Sequence, residues 1–263
     1  MTAVIRHPEF TPLVTTKLKP PQYHRKMVQR AVRVDQLMNP NWKVLLVLSP
    51  AGFGKTVVLS QLADSFSGDV VWYSLDPHDN EPQTFVKHLA YALKQSSLDE
   101  MDLRRLLTQP LISEHSHTTA IFLSHILESA PRAGLIIVDN FQTITHPVIY
   151  QIIAELIPLL PDHTQLVISG RNPLELIHEL ALERLHLAGQ VQILDRGSLK
   201  FTPEELESFY LLHDSSVEKN QFELVAEITG GWPIMVDCLT KREVDLCAAQ
   251  QRLPEVLTSY LDR

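Results

Sequence analysis

Cysteine is scarce in this 263-residue chain: Cys238 and Cys247 are the two present, close together in a helical stretch. Buried free thiols of a reducing compartment explain such a pair better than a disulfide framework does. Positive charge is also in deficit, with 23 Lys and Arg against 31 Asp and Glu and a net charge of −8. An acidic chain has no general attraction to nucleic acid or to an anionic membrane. The start, MTAVIRHPEF, lacks the apolar core of a signal peptide, and no apolar run is long enough to span a bilayer. These absences point to the cytoplasm. Internal repeats and low-complexity tracts are missing too. What remains, at 44% hydrophobic residues, is ample material for one large domain or a domain with a smaller appendage.

The chain is organised around Lys43 to Leu62, KVLLVLSPAGFGKTVVLSQL. Residues 44–48 form an apolar, β-branched and leucine-rich run, as in a strand buried on both faces. Ser49 to Gly54 reads as a turn, and Lys55-Thr56 opens a helix. This meets the phosphate-binding pattern G-x-x-x-x-G-K-S/T at Gly54, Lys55 and Thr56, with Ser49 in place of the first Gly. Gly52 and Gly54 allow positive φ, so that successive N–H groups curl around a phosphate. The helix start adds unpaired donors and the positive end of its dipole. Lys55 suits the outer phosphates, and the Thr56 hydroxyl suits Mg²⁺.

Before this stretch, residues 1–42 are punctuated by proline and locally basic. Helical spacing runs from Lys26 to Met38, and the default role of its charges is a solvated face. After it, strands are expected at 69–75, 134–138, 164–169 and 191–194. Helices are expected near 82–95, 98–113, 118–129, 147–160 and 176–185. This alternation predicts an α/β fold, a parallel five-stranded sheet with helices on both faces. From Thr202 no strand pattern remains. Thr202-Pro203-Glu204-Glu205 is a helix start with a capping box, and helices are expected at 203–213, 218–228 and from Trp232-Pro233 to 247. The domains expected are an arm and helix over 1–42, a nucleotide-binding domain over 43–197 and a small all-helical domain over 198–263.

Asp139 closes the run LIIVD and is the carboxylate best placed to hold a Mg²⁺ water shell, although a turn aspartate after a core strand has the same pattern. The next residue is Asn140, whose amide cannot accept a proton from water at neutral pH. Asp76 or Asp79 could supply the missing carboxylate, or could serve the turn that holds them. Arg171 follows the fourth strand, at the edge where open α/β sheets bind ligands. It could read a γ-phosphate or form a surface ion pair.

Taken together, TKLKPP, SPAGFGKT, WYSLDPHDN, IIVDNFQTITHPVI, LVISGRNP, LKFTPEE and TGGWP resemble the MalT-like LuxR-family regulators, of the STAND class of P-loop NTPases. The resemblance covers nearly the whole chain. It implies an AAA-like sheet with a strand between the P-loop strand and the strand ending in Asp139, and a helical domain that closes over the nucleotide. It implies Walker A contacts from Gly52, Phe53, Gly54, Lys55, Thr56 and Val57, a Walker B acid in Asp139 and a sensor arginine in Arg171. Pro233 resembles the proline near the adenine, and Val28 and Arg30 resemble the arm against base and ribose. ATP or ADP with Mg²⁺ is the expected cofactor, with self-association in the ATP form. Inducer and DNA contacts are expected through winged-helix, sensor and helix-turn-helix domains beyond SYLDR, so that the chain reads as truncated or as a stand-alone relative. Such regulators commonly carry two acids where this chain has Asp139-Asn140. Slow or absent hydrolysis is therefore expected. The competing readings are a phosphotransferase for a small molecule and a nucleotide-bound scaffold without turnover.

Overall fold

The computed structural model describes residues 13–22, 27–30, 34–35, 37–38, 41–93, 116–129, 133–171, 173–213 and 222–241. Within them, five strands form one parallel sheet: β1 (Val44–Leu48), β2 (Asp69–Ser74), β3 (Ala133–Asp139), β4 (Gln165–Gly170) and β5 (Val191–Leu194). The order across the sheet is β2-β3-β4-β1-β5. β4 therefore lies between the P-loop strand and the strand ending in Asp139, paired through Leu45 with Val167 on one side and Ile137 with Val167 on the other.

The continuous apolar runs are explained by two-sided burial. Along β1, Val44, Leu46 and Leu48 enter one core and Leu45 and Val47 the other, following the period of two of a strand. The first core is closed by α2 (Pro82–Leu93), α3 (Ser116–Ser129) and α4 (Pro147–Leu156). The second is closed by α1 (Lys55–Ser65) through Val58, Leu59 and Leu62, with Trp72 and Trp42. Each fully buried aliphatic side chain of this kind contributes about 2 kcal/mol.

Two helices differ from the sequence expectation. The stretch expected as one helix over 176–185 divides into α5 (Pro173–Glu179) and α6 (Glu183–Leu187), because Ala181 between them takes φ +51°. The helix over 147–160 ends as a 3₁₀ turn, Ile157–Leu159, which contains Pro158. The helix expected over 98–113 lies outside the described residues, as does Cys247; Cys238 is half-buried and forms no disulfide.

Beyond β5, a single helical turn, α7 (Arg196–Leu199), precedes α8 (Pro203–Leu212), α9 (Phe222–Thr229) and α10 (Pro233–Lys241). The capping box at α8 is formed: the Thr202 hydroxyl accepts from Glu205 N–H, and Glu205 accepts from Thr202 N–H. These helices build a third core of Leu206, Phe209, Tyr210, Val225 and Val236, and Val28 of the arm completes it.

The arm corrects the expectation of a helix from Lys26. Residues 27–30 are not helical, because the Gln61 side chain satisfies their backbone: its amide donates to Val28 C=O at 2.9 Å and accepts from Arg30 N–H at 2.8 Å. Helical bonding starts at Arg30, whose C=O accepts from Val34 N–H. The basic residues are not all solvated either. Lys17 donates to Asp79 at 2.9 Å and pairs with Asp76 at 2.6 Å. Arg30 is buried.

Candidate functional site

The turn between β1 and α1 takes the shape that its glycines permit. Gly52 and Gly54 both have φ +78°, whereas Ser49 does not need the left-handed region, so the pattern's first glycine is dispensable here. Val57 follows in the first turn of α1. The Lys55 ammonium donates to Ser49 C=O at 2.6 Å and to Pro50 C=O at 3.0 Å, which leaves one of its three protons. Burial lowers its pKa from 10.5 to about 8; the Asp139 carboxylate opposes that shift and the Arg171 charge adds to it.

Asp139 is buried at the end of β3, and each carboxylate oxygen is assigned. Oδ2 accepts from the Thr56 hydroxyl at 2.9 Å. Oδ1 accepts from the Ser169 hydroxyl at the end of β4 and from Asn140 N–H at 3.0 Å. Ser169 Oγ accepts from the same Asn140 N–H at 3.0 Å. The sheet order produces this cluster, since adjacency of β3, β4 and β1 brings their carboxyl ends together. Two oxygen donors facing each other, Thr56 Oγ1 and Asp139 Oδ2, fit Mg²⁺, which takes hard oxygen ligands and keeps several waters. Among the described residues no group of three or more His, Cys, Asp or Glu is arranged to hold a metal ion, so further ligands would be water and phosphate oxygens.

Asn140 follows in the left-handed conformation, φ 64° and ψ 36°, which asparagine tolerates better than most residues. Its side-chain oxygen accepts from Gln142 at 3.3 Å. Asp76 and Asp79 both serve the turn that holds them. Asp79 is fully buried and accepts from Tyr73 O–H, Lys17 and Asp76 N–H, while Asp76 caps the 3₁₀ turn Pro77–Asn80. Arg171 is exposed and lines a cavity of about 320 Å³ with Phe141, Gln142 and Glu179.

The arm and the helical unit meet the P-loop from outside the sheet. Arg30 Nε pairs with Glu205 at 2.7 Å, its Nη2 donates to Leu199 and Lys200 C=O, and its guanidinium lies 5.1 Å over the Phe201 ring. Val28 packs into the helical core. Half-buried Pro233 sits between Trp232 and Ile234, both of which touch the P-loop: Trp232 Nε1 donates to Ala51 C=O at 3.2 Å and Ile234 N–H donates to Gly52 C=O at 3.1 Å. The Phe53 and Trp232 rings stack with centroids 5.5 Å apart. The structure thus brings Gly52, Phe53, Gly54, Lys55, Thr56 and Asp139 together with the Trp232-Pro233-Ile234 corner. Sequence reasoning missed Ser169, Gln61, Trp232 and Ile234. For Ser169 a signal existed, since a hydroxyl follows the apolar run Leu166–Val167–Ile168, two residues before Arg171.

Comparison with known proteins agrees with this geometry. Residues 41–177 match the family model described as AAA domain. The HTH-type transcriptional regulator MalT of Cronobacter sakazakii is 28% identical over 224 residues, 84% of this chain, and the chain spans 24% of that protein's length. A Walker-type ATPase of Pyrococcus abyssi superposes with a TM-score of 0.60 at 14% identity, covering 94% of this chain and 77% of that one. A Signal Transduction ATPase with Numerous Domains protein with a tetratricopeptide repeat sensor, from Pyrococcus horikoshii, superposes with a TM-score of 0.50 at 18% identity, over 89% of this chain and 33% of that one. These two share the fold. With its P-loop at the head of α1 and β4 between β1 and β3, the chain belongs to the AAA domain family, as a MalT-like P-loop NTPase module.

Proposed function

We propose that this chain is a nucleotide-operated switch module of a signal-transduction NTPase that controls transcription, binding ATP or ADP with Mg²⁺ and hydrolysing ATP slowly. The observation that carries this reading is the Thr56–Asp139 pair beneath the P-loop, with Asn140 rather than a carboxylate beside it. In this reading the P-loop amides and Lys55 hold the phosphates, and Thr56 and Asp139 hold the metal through oxygen. The bound Mg²⁺ supplies charge neutralisation at the phosphates. Asn140 can orient a water but not deprotonate it. Arg171 reads the outer phosphate, and Pro233 with the Val28–Arg30 arm borders the base and ribose. Residues 43–197 form the nucleotide-binding domain, with 1–42 as arm and 198–263 as helical domain. The similarity to a transcriptional regulator supports the assignment to control of transcription. Self-association in the ATP form, inducer and DNA contacts through further domains, and a cytoplasmic location belong to the same proposal. No helix among the described residues is long and apolar enough to cross a membrane.

Two measurements test it. Calorimetry with ADP and ATP should give saturable binding that Lys55→Ala abolishes; no binding by the folded wild type overturns the reading. Nucleotide released from freshly purified, heat-denatured protein should be ADP. Asn140 also favours a second reading, a scaffold that holds nucleotide without any turnover, which single-turnover phosphate release separates from a slow ATPase.

A further inference from the structure

We propose that Trp232 and Ile234 are positioning residues of the phosphate cradle: by holding the outward carbonyls of Ala51 and Gly52, they set the direction of the amides that face a phosphate. The inference rests on the reading of Ser49 to Thr56 as a phosphate site.

A trans peptide is planar, with its C=O and N–H pointing in opposite directions. Fixing the Ala51 carbonyl therefore fixes the Gly52 N–H, and fixing the Gly52 carbonyl fixes the Phe53 N–H. Both carbonyls are fixed from the helical unit, Ala51 by the Trp232 indole N–H at 3.2 Å and Gly52 by the Ile234 N–H at 3.1 Å. The stacking of Trp232 on Phe53 holds the indole in place, and Arg196 lies 5.9 Å from the other partner in that stack, the Phe53 ring.

The approach is close enough to demand glycine at position 52. A Cβ there would stand 2.4 Å from Ile234 Cγ2 and 2.9 Å from its Cβ. Gly52 thus answers two needs at once, its φ of +78° and the room for Ile234. The donors are anchored in turn. Gly231, at φ +71°, accepts from Phe201 N–H at 2.8 Å, and a Cβ on it would meet Phe201 C=O at 2.9 Å. Trp232 N–H donates to Thr229 C=O at 3.1 Å. The Gly230-Gly231 corner therefore places two donors against a loop about 180 residues earlier, and nucleotide affinity and docking of the helical unit become one linked equilibrium.

The test is ADP calorimetry on the whole chain with Trp232→Phe, which keeps a stacking ring but loses the indole donor, and with Trp232→Ala, which loses both. Loss of one neutral hydrogen bond is expected to weaken ADP binding about three- to tenfold in Trp232→Phe, and Trp232→Ala further. Hydrogen exchange should accelerate in a peptide spanning 49–56 and stay unchanged in one spanning 133–139. ADP affinities within twofold of wild type in both variants overturn the inference, as does acceleration of equal size across the sheet. If Trp232→Ala does not fold, the Phe variant decides. A wild type that binds ADP, with a Lys55→Ala variant that does not and Trp232 variants that bind normally, removes this inference and leaves the proposed function standing. A folded wild type that binds no ADP overturns both.

Discussion

Raising the pH from 7 to 9 is expected to weaken ADP binding about tenfold. The magnitude follows from the burial of Lys55, which lowers its pKa to about 8 against the pull of Asp139, with Arg171 adding to the lowering. The ammonium is then about 91% protonated at pH 7, about half at pH 8 and about 9% at pH 9. If phosphate is gripped by the charged form alone, affinity follows those fractions. A phosphate beside Lys55 raises its pKa again, so binding at pH 8 takes up about half a proton. Calorimetry at pH 8 in buffers of different ionisation enthalpy measures that uptake directly. Zero uptake together with a flat affinity up to pH 9 would refute the assignment of Lys55 to the phosphates. Stability has the matching sign. Because the folded pKa lies below the unfolded 10.5, the unfolded chain binds more protons between about pH 8 and 10.5, and the contribution of Lys55 to stability rises with pH across that window.

Asn140→Asp keeps the left-handed backbone, which aspartate also tolerates, and adds a carboxylate beside Asp139. Since general base catalysis contributes about 10²- to 10⁴-fold, phosphate release should rise at least about tenfold, and an unchanged rate means that the amide is not limiting. Ser169→Ala removes one of the two hydrogen bonds on Asp139 Oδ1 and is expected to raise the Mg²⁺ concentration needed for tight ATP binding several-fold, without changing metal-free ADP affinity. Identical Mg²⁺ titrations would show that Ser169 does not hold the carboxylate in place. Arg30→Ala leaves Glu205 without its buried partner and empties two carbonyl contacts, at a cost of about 3 kcal/mol in urea unfolding. A loss under about 1 kcal/mol would mean that the Arg30 contacts do not hold the arm to the helical unit.

The parts legible in the sequence are those set by neighbours along the chain. Residues 44–48 are apolar because a strand buried on both faces needs it, and the turn after them shows in Gly52 and Gly54, the two P-loop residues with positive φ. Thr202, Pro203 and Glu205 spell a helix start because a capping box spans four residues. Lys55, Thr56 and Asp139 could be picked out because each closes or opens an apolar element. The start of the arm helix is not legible, for the opposite reason. The non-helical residues 27–30 depend on the Gln61 side chain, more than thirty positions away.

The sequence by itself therefore determined the parallel α/β class and the residue types of the phosphate cradle, because both follow from local periodicity and backbone freedom. Tertiary structure decided what those residues touch. Only the strand order β2-β3-β4-β1-β5 puts Ser169 against Asp139, and only docking of the helical unit puts Glu205 on Arg30 and Trp232 on Ala51. Contacts between residues about 30 to 180 positions apart leave no periodic trace, since they are selected by the closing of a shared core and not by any stretch of chain.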